Sequence, residues 1–216
     1  MPIKMTKTQK AYYILTELEK LYPNAGTELS NWETDFQFLV CIMLSAQTTD
    51  IQVNKVTEKL FKKFTTPHDF ASLEPEELMK EVRSINFYKT KSKHIVQTAR
   101  LIDERYDGRV PKKVEELMEL PGVGYKTANV FLNDYYKANQ GIAVDTHVSR
   151  VAQRLGLTKH KDPTKIAKTL ERIYKKDDWY KINQLFVLYG RYVCKAKVKP
   201  EESECIFKDF CEHCGG

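Results

Sequence analysis

Glycine and proline are scarce, 9 and 8 in 216 residues, which excludes collagen-like and low-complexity chains. No apolar run approaches the roughly 18 residues of a membrane helix, and the opening Met1-Pro2-Ile3-Lys4 lacks the apolar stretch of a signal peptide. A cytoplasmic protein without a membrane partner is therefore expected. Alternation of β-branched and polar residues is also missing, apart from the brief Gly141-Ile142-Ala143-Val144. Cysteine is rare, five in all, yet Cys194, Cys205, Cys211 and Cys214 fall within the last 23 residues while Cys41 sits alone in an apolar stretch. In a reducing compartment, thiols clustered in this way point to a metal site before disulfides. Lys and Arg exceed Asp and Glu, 35 to 29, and the net charge of +6 favours a polyanionic partner such as nucleic acid.

What is abundant is helical periodicity. Ala11, Ile14, Leu15, Leu18 and Leu21 recur at helical spacing until Pro23-Asn24-Ala25-Gly26 stops the pattern. The same spacing predicts helices over 32–45, 50–63, 75–85, 91–106, 113–119, 126–137, 147–155, 163–175 and 179–193, with breaks such as Thr65-Thr66-Pro67 and Asp162-Pro163. An all-α fold follows, with no internal repeat. Phe36, Phe38, Leu39, Ile42 and Met43 read as core. Basic clusters such as Lys89-Thr90-Lys91-Ser92-Lys93 and Lys195-Ala196-Lys197-Val198-Lys199 read first as solvated faces.

One segment stands apart. Leu120-Pro121-Gly122-Val123-Gly124-Tyr125-Lys126-Thr127-Ala128 lies between two helical patterns and reads as helix, tight hairpin, helix. Gly122 and Gly124 permit positive backbone dihedrals and remove side chains, so successive amides beside a helix N-terminus are able to hold a DNA phosphate without reading sequence. A plain connector between antiparallel helices is the other reading. Lys126 stands in the first turn of the second helix, and Asp145 follows 19 residues later at the entrance of another. Desolvation beside a helix N-terminus would supply a neutral Lys126 amine able to attack an electrophilic carbon. A carboxylate near a sugar carbon would stabilise positive charge as a glycosidic bond breaks or help deprotonate the nucleophile. A surface cation and a helix cap are the plainer roles of these two residues.

The stretch from Leu120 to Val130, with Ile142-Ala143-Val144-Asp145-Thr146-His147-Val148-Ser149-Arg150-Val151, closely resembles the endonuclease III family of base-excision DNA glycosylases, within the helix-hairpin-helix superfamily. The match extends upstream to Leu44-Ser45-Ala46-Gln47-Thr48-Thr49-Asp50, through Phe87-Tyr88-Lys89-Thr90-Lys91, and downstream to Tyr189-Gly190-Arg191-Tyr192-Val193-Cys194, covering essentially the whole chain. The resemblance implies two helical domains, a six-helix domain over 27–138 carrying the hairpin and a second built from 1–26 plus 139–216, with DNA bound in a cleft between them. It implies a bifunctional glycosylase and abasic-site lyase acting on oxidised pyrimidines in duplex DNA. Lys126 matches the family's nucleophile, which attacks C1′ and forms a Schiff base leading to β-elimination, and Asp145 matches the catalytic aspartate. The damaged nucleotide has to leave the stack first. Gln47 matches the residue that fills the vacated space, and Phe87 occupies the position of an apolar wedge that is often leucine in the family. Gly122 and Gly124, with Thr146, His147, Lys197 and Lys199, complete the expected DNA contacts. The protein is expected to be a monomer, nucleoid-associated if prokaryotic.

The cysteines depart from the pattern. The family's 4Fe-4S cysteines are separated by six, two and five residues, whereas this chain reads Cys-x10-Cys-x5-Cys-x2-Cys. Cys194, Cys205 and Cys211 align with the first, third and fourth ligands. Glu201-Glu202-Ser203-Glu204 stands where the second is expected, and Cys214 is extra. A rewired 4Fe-4S cluster on Cys194, Cys205, Cys211 and Cys214 is favoured, with zinc on the same thiolates as the alternative and His213 as a poorer, solvent-facing candidate. Two other functions stay open: a glycosylase for G-mismatched thymine or uracil on the same fold, and a noncatalytic, metal-bearing DNA-binding module in which Lys126 only contacts phosphate.

Overall fold

Threonine and aspartate decide where many of the helices begin. Thr6, Thr34, Thr49 and Thr66 each stand in extended backbone and accept the amide of the third helical residue, Gln9, Gln37, Gln52 and Asp69 respectively, through their side chains. Asp162 accepts the amide of Lys165 in the same way. In the computed structural model, which describes residues 5–215, eleven α-helices follow. They are α1 (Lys7–Leu21), α2 (Asp35–Ser45), α3 (Asp50–Leu60), α4 (Pro67–Ala71), α5 (Pro75–Glu81), α6 (Tyr88–Tyr106), α7 (Val114–Met118), α8 (Tyr125–Tyr136), α9 (Thr146–Arg154), α10 (Pro163–Ile173) and α11 (Trp179–Tyr192), with short 3-10 turns at Lys176–Asp178 and Pro200–Glu202.

The all-α reading holds: among the described residues there is no strand. The segment 141–144 is irregular because its backbone finds other partners. The Ile142 amide donates to the Glu171 carboxylate at 3.0 Å, and the Ala143 carbonyl accepts from Asn183 Nδ2 at 2.7 Å. Helix α4 was not legible from periodicity, since five residues span little more than one turn, and Thr65-Thr66-Pro67 reads as a break. It is in fact a start, with Thr66 as N-cap and Pro67 at the first helical position.

The chain forms two compact units, Thr27–Tyr136 and, among the described residues, the segments before and after it. In the first unit α2 is buried from Phe36 through Leu44 and packs against α3, α6 and α8. Phe36, Phe38, Leu39, Ile42 and Met43 are all core. The Phe38 ring stacks on Phe131 at 6.2 Å and meets Trp32 at 4.7 Å, and each fully buried phenylalanine contributes about 1.5–3 kcal/mol of apolar transfer.

In the other unit α1, α9, α10 and α11 share one apolar cluster that includes Leu15, Leu18, Val148, Val151, Leu170 and Phe186. The cysteine-bearing tail belongs to this core. Phe207 is fully buried, its ring 5.4 Å from Tyr189 and 6.2 Å from Tyr13. No helix among the described residues is long and apolar enough to cross a membrane.

Asp69 carries a testable electrostatic element of α4. Its carboxylate accepts the amides of Thr65 at 2.8 Å and Thr66 at 2.9 Å, which hold its pKa down from 3.8 to about 2. A folded value below the unfolded one means that the stabilisation is complete above the unfolded pKa and is lost as pH falls toward 2. Urea denaturation against pH is expected to show Asp69→Asn less stable than wild type at pH 6, with the difference shrinking as the pH falls below 4.

Candidate active site

The hairpin joins α7 to α8. Its turn is closed by the Val123 amide on the Leu120 carbonyl at 3.0 Å, and the Thr98 hydroxyl of α6 donates to the Pro121 carbonyl at 2.9 Å. Leu120 and Val123 are buried, so the apolar residues anchor the turn and leave its backbone outside. The two glycines differ. Gly122 has φ +79°, and a Cβ there would lie 2.8 Å from His94 Nδ1. Gly124 does not use a positive φ, which corrects the expectation for that residue; a Cβ there would meet nothing within 4 Å, so the space outside it is open to a ligand.

Lys126 lies in the first turn of α8 and is exposed. A residue without an expected role lies within reach of its charge. Asp50, the first residue of α3, is half-buried; burial raises its pKa above the ordinary carboxylate value, and the Lys126 charge acts in the opposite direction. Periodicity gives no sign of this pairing, since the two residues lie 76 positions apart, the difference of their numbers.

Gln47 and Phe87 both adopt left-handed backbone, φ +55° and +57°, a conformation that costs a non-glycine residue of order 1–3 kcal/mol. Phe87 is 63% exposed. Their loops meet: Asn86 Nδ2 donates to the Gln47 carbonyl at 2.6 Å, and Gln52 Nε2 pairs with Ser84 Oγ at 2.7 Å. Lys91, read from its basic cluster as a solvated charge, is instead 8% exposed.

On the other unit Asp145 is the N-cap of α9, with Oδ1 accepting the amides of His147 at 2.8 Å and Val148 at 2.9 Å. Thr146 is exposed and His147 half-buried. Arg150 Nη2 lies 3.1 Å from His147 Nδ1, and because a guanidinium only donates, Nδ1 is the acceptor and the ring proton sits on Nε2. Gly190 lets α11 approach this histidine, since a Cβ there would stand 2.9 Å from His147 Cβ.

The sulfurs of Cys205, Cys211 and Cys214 lie within 4.8 Å of one another. Cys194 is buried at the end of α11 and is not in this group; its Sγ accepts from Arg154 Nη1 at 3.5 Å. The Cys211 thiol donates to Cys205, and with the Tyr189 hydroxyl at 3.2 Å this holds the Cys205 thiol well below its ordinary pKa. Three gathered soft donors with a fourth thiol buried on the same unit fit a thiolate-bound metal centre. His213 is half-buried, its Nε2 donating to the Val198 carbonyl at 3.0 Å, and Arg154 grips the same loop through the Lys195 and Ala196 carbonyls at 2.9 and 3.2 Å. Lys197 and Lys199 on that loop are exposed, and Lys199 lies 3.6 Å from Glu202.

The hairpin geometry separates two substitutions. Gly122→Ala adds a methyl group against His94 in left-handed backbone and is expected to lower unfolding stability by about 1–3 kcal/mol. Gly124→Ala is expected to leave the melting temperature unchanged while weakening duplex binding measured by fluorescence anisotropy. Unchanged binding would remove Gly124 from the phosphate contact.

Comparison with known proteins bears on these features together. Residues 40–176 match the HhH-GPD superfamily of base excision DNA repair proteins. The chain is 42% identical over 206 residues to endonuclease III of Synechocystis sp., covering 95% of this chain and 93% of that one, and 39% identical over 208 residues to endonuclease III of Bacillus subtilis, covering 96% and 94%. Among solved structures, a trapped endonuclease III–DNA covalent intermediate superposes with a TM-score of 0.89 at 39% identity over 97% of both chains. A thermostable thymine-DNA glycosylase, 19% identical with a TM-score of 0.82 over 95% and 96% of the two chains, shares the fold. With a helix-hairpin-helix, identity of this extent and nearly full coverage in both directions, the chain belongs to the endonuclease III family of the HhH-GPD superfamily and is a base-excision DNA glycosylase acting on DNA.

Proposed function

We propose that the protein removes oxidised pyrimidines from duplex DNA and then cleaves the strand at the abasic site it has made. The damaged nucleotide leaves the stack, Gln47 fills the gap and Phe87 wedges between neighbouring bases. The neutral Lys126 amine attacks C1′. The C1′–N glycosidic bond breaks, and the base departs with the bonding electrons and takes up a proton. Opening of the sugar ring and loss of a proton from nitrogen leave an imine between Lys126 and C1′. Removal of the C2′ proton then drives electrons toward C3′ and expels the 3′ phosphate. Asp145 stabilises the positive charge that builds on the sugar as the base leaves.

The observation that carries this reading is the exposed Lys126 at the start of α8, beside the half-buried Asp50 and directly after a hairpin whose Gly124 faces open space. A carboxylate next to a lysine is suited to receive the proton that the attacking amine must shed. The related endonuclease III captured as a covalent intermediate with DNA supports a covalent step. The hairpin amides, Thr146, His147, Lys197 and Lys199 contact the DNA backbone, and the protein works as a monomer in the cytoplasm, at the nucleoid in a prokaryote.

Cys205, Cys211 and Cys214 would hold a 4Fe-4S cluster, with Cys194 as the fourth thiolate. Such a cluster would supply a rigid anchor for the loop that carries Lys197 and Lys199. The bond-breaking steps belong to Lys126 and Asp145. Elemental analysis and the visible spectrum of protein purified without oxygen test the assignment. Iron with broad visible absorption, lost in Cys205→Ser, is the expected outcome, and zinc without colour would replace the cluster by a tetrahedral zinc site.

The chemistry is tested by borohydride trapping on duplexes carrying thymine glycol or a plain abasic site. Wild type is expected to form a covalent adduct with both, and Lys126→Ala with neither, while the variant retains most of its duplex affinity. An adduct on the abasic site alone keeps the lyase and moves the substrate to other bases, G-mismatched thymine or uracil first. No adduct with wild type on either duplex removes the Schiff-base route.

A further inference from the structure

Helix α2 ends without a cation of its own. Its last turn has no basic residue, although the carbonyls there carry the partial negative charge of a helix C-terminus. The cation comes from α6. Lys91 Nζ donates to the Leu44 carbonyl at 2.7 Å, the Ala46 carbonyl at 2.6 Å and the Thr48 hydroxyl at 3.2 Å, which fills all three donor positions of the ammonium. Burial pushes its pKa down to about 8, so the group is still predominantly charged at neutral pH. The residues it grips lie on both sides of Gln47.

Two further ties join the same segments. Asn86, next to Phe87, donates to the Gln47 carbonyl at 2.6 Å, and Ser84 meets Gln52 at 2.7 Å. Segments 44–52 and 84–91 are thus joined by five hydrogen bonds, three of them from one buried ammonium. The side chains of Gln47 and Phe87, the two residues here in left-handed backbone, take no part in these five bonds, and both residues are exposed.

We propose that Lys91 is a positioning residue that locks the Gln47 and Phe87 loops into a single rigid wedge, so that both side chains enter the duplex together and the damaged nucleotide is extruded in one step. This rests on the reading of Gln47 and Phe87 as the residues that enter DNA. A wedge of fixed spacing transmits binding energy into unstacking, whereas two independent loops dissipate it in their own rearrangement. Lys91 touches neither substrate nor reacting atoms and acts through the backbone on either side of Gln47.

The role is distinguishable from simple stabilisation by changing how much work extrusion requires. Single-turnover excision is measured for thymine glycol opposite adenine and for thymine glycol opposite an abasic residue, where no base pair opposes extrusion. Lys91→Met is expected to slow excision from the paired duplex on the order of 100-fold, as a misplacement of about 1 Å does elsewhere. Asn86→Ala, at an exposed position where folding is not in question, is expected to slow it by about tenfold, the worth of one hydrogen bond. Both variants are expected to process the unpaired lesion near the wild-type rate. Equal losses on the two duplexes, or no loss on the paired one, overturn the role of Lys91 and leave the glycosylase reading standing. If Lys91→Met does not fold, Asn86→Ala decides by the same comparison. A wild type inactive on both duplexes overturns the glycosylase reading and this inference with it.

Discussion

An ammonium ion removed from water loses several kcal/mol of solvation unless other oxygens replace it, and the outward-facing parts of the Thr27–Tyr136 unit are arranged around one such replacement. Lys91 obtains its three oxygens from the end of α2 and the loop that follows, which ties that loop to α6. Three further positions along the same helix, His94 lies against Gly122, and a turn beyond that the Thr98 hydroxyl holds the Pro121 carbonyl. Residues 91, 94 and 98 share one face of α6, since spacings of three and four residues return to nearly the same side of a helix. One rigid face therefore sets both the loop that bears Gln47 and the hairpin that precedes Lys126. A helix is suited to this because its rise per residue is fixed, and a displacement at one contact is carried to the other.

Helix α9 plays the corresponding part in the other unit. Asp145 closes its N-terminus, while Arg150 and Arg154, one turn apart, reach the carbonyls of Gly190, Cys194, Lys195 and Ala196. Guanidinium groups suit this task because they remain charged and offer several donors in a fixed fork. The loop that brings Lys197 and Lys199 to the surface is thus attached to the helix that carries Asp145 by bonds independent of any metal. The sulfurs of Cys205, Cys211 and Cys214 gather at the far end of the same tail, where Phe207 is buried against Tyr189. The unusual cysteine order makes sense in this setting. Residues separated by five and two positions converge because the chain from Phe207 to Gly215 turns tightly, with the Cys211 amide on the Phe207 carbonyl at 2.9 Å and the Cys214 amide on the Cys211 carbonyl at 3.0 Å.

By itself the sequence determined what depends on neighbours in the chain. Apolar spacing and its breaks marked most of the helices, and the absence of alternating β-branched residues excluded sheet. The hairpin was legible because Pro121-Gly122-Val123-Gly124 carries its own turn chemistry, and the tail because four thiols crowd into a short segment. Helix α4 escaped because one turn has no period. Tertiary structure alone decided which charges are buried and what they face. Lys91 lies in a run of lysines that looks solvated, and only the arrival of oxygens 43 to 47 residues away turns it into an interior cation. Asp50 feels the charge of Lys126 across a still wider gulf in sequence, and His213 finds the Val198 carbonyl. Local patterns record the free energy of forming an element, whereas the solvation of a charge depends on every atom that folding brings to it, so its fate is settled only when the elements pack.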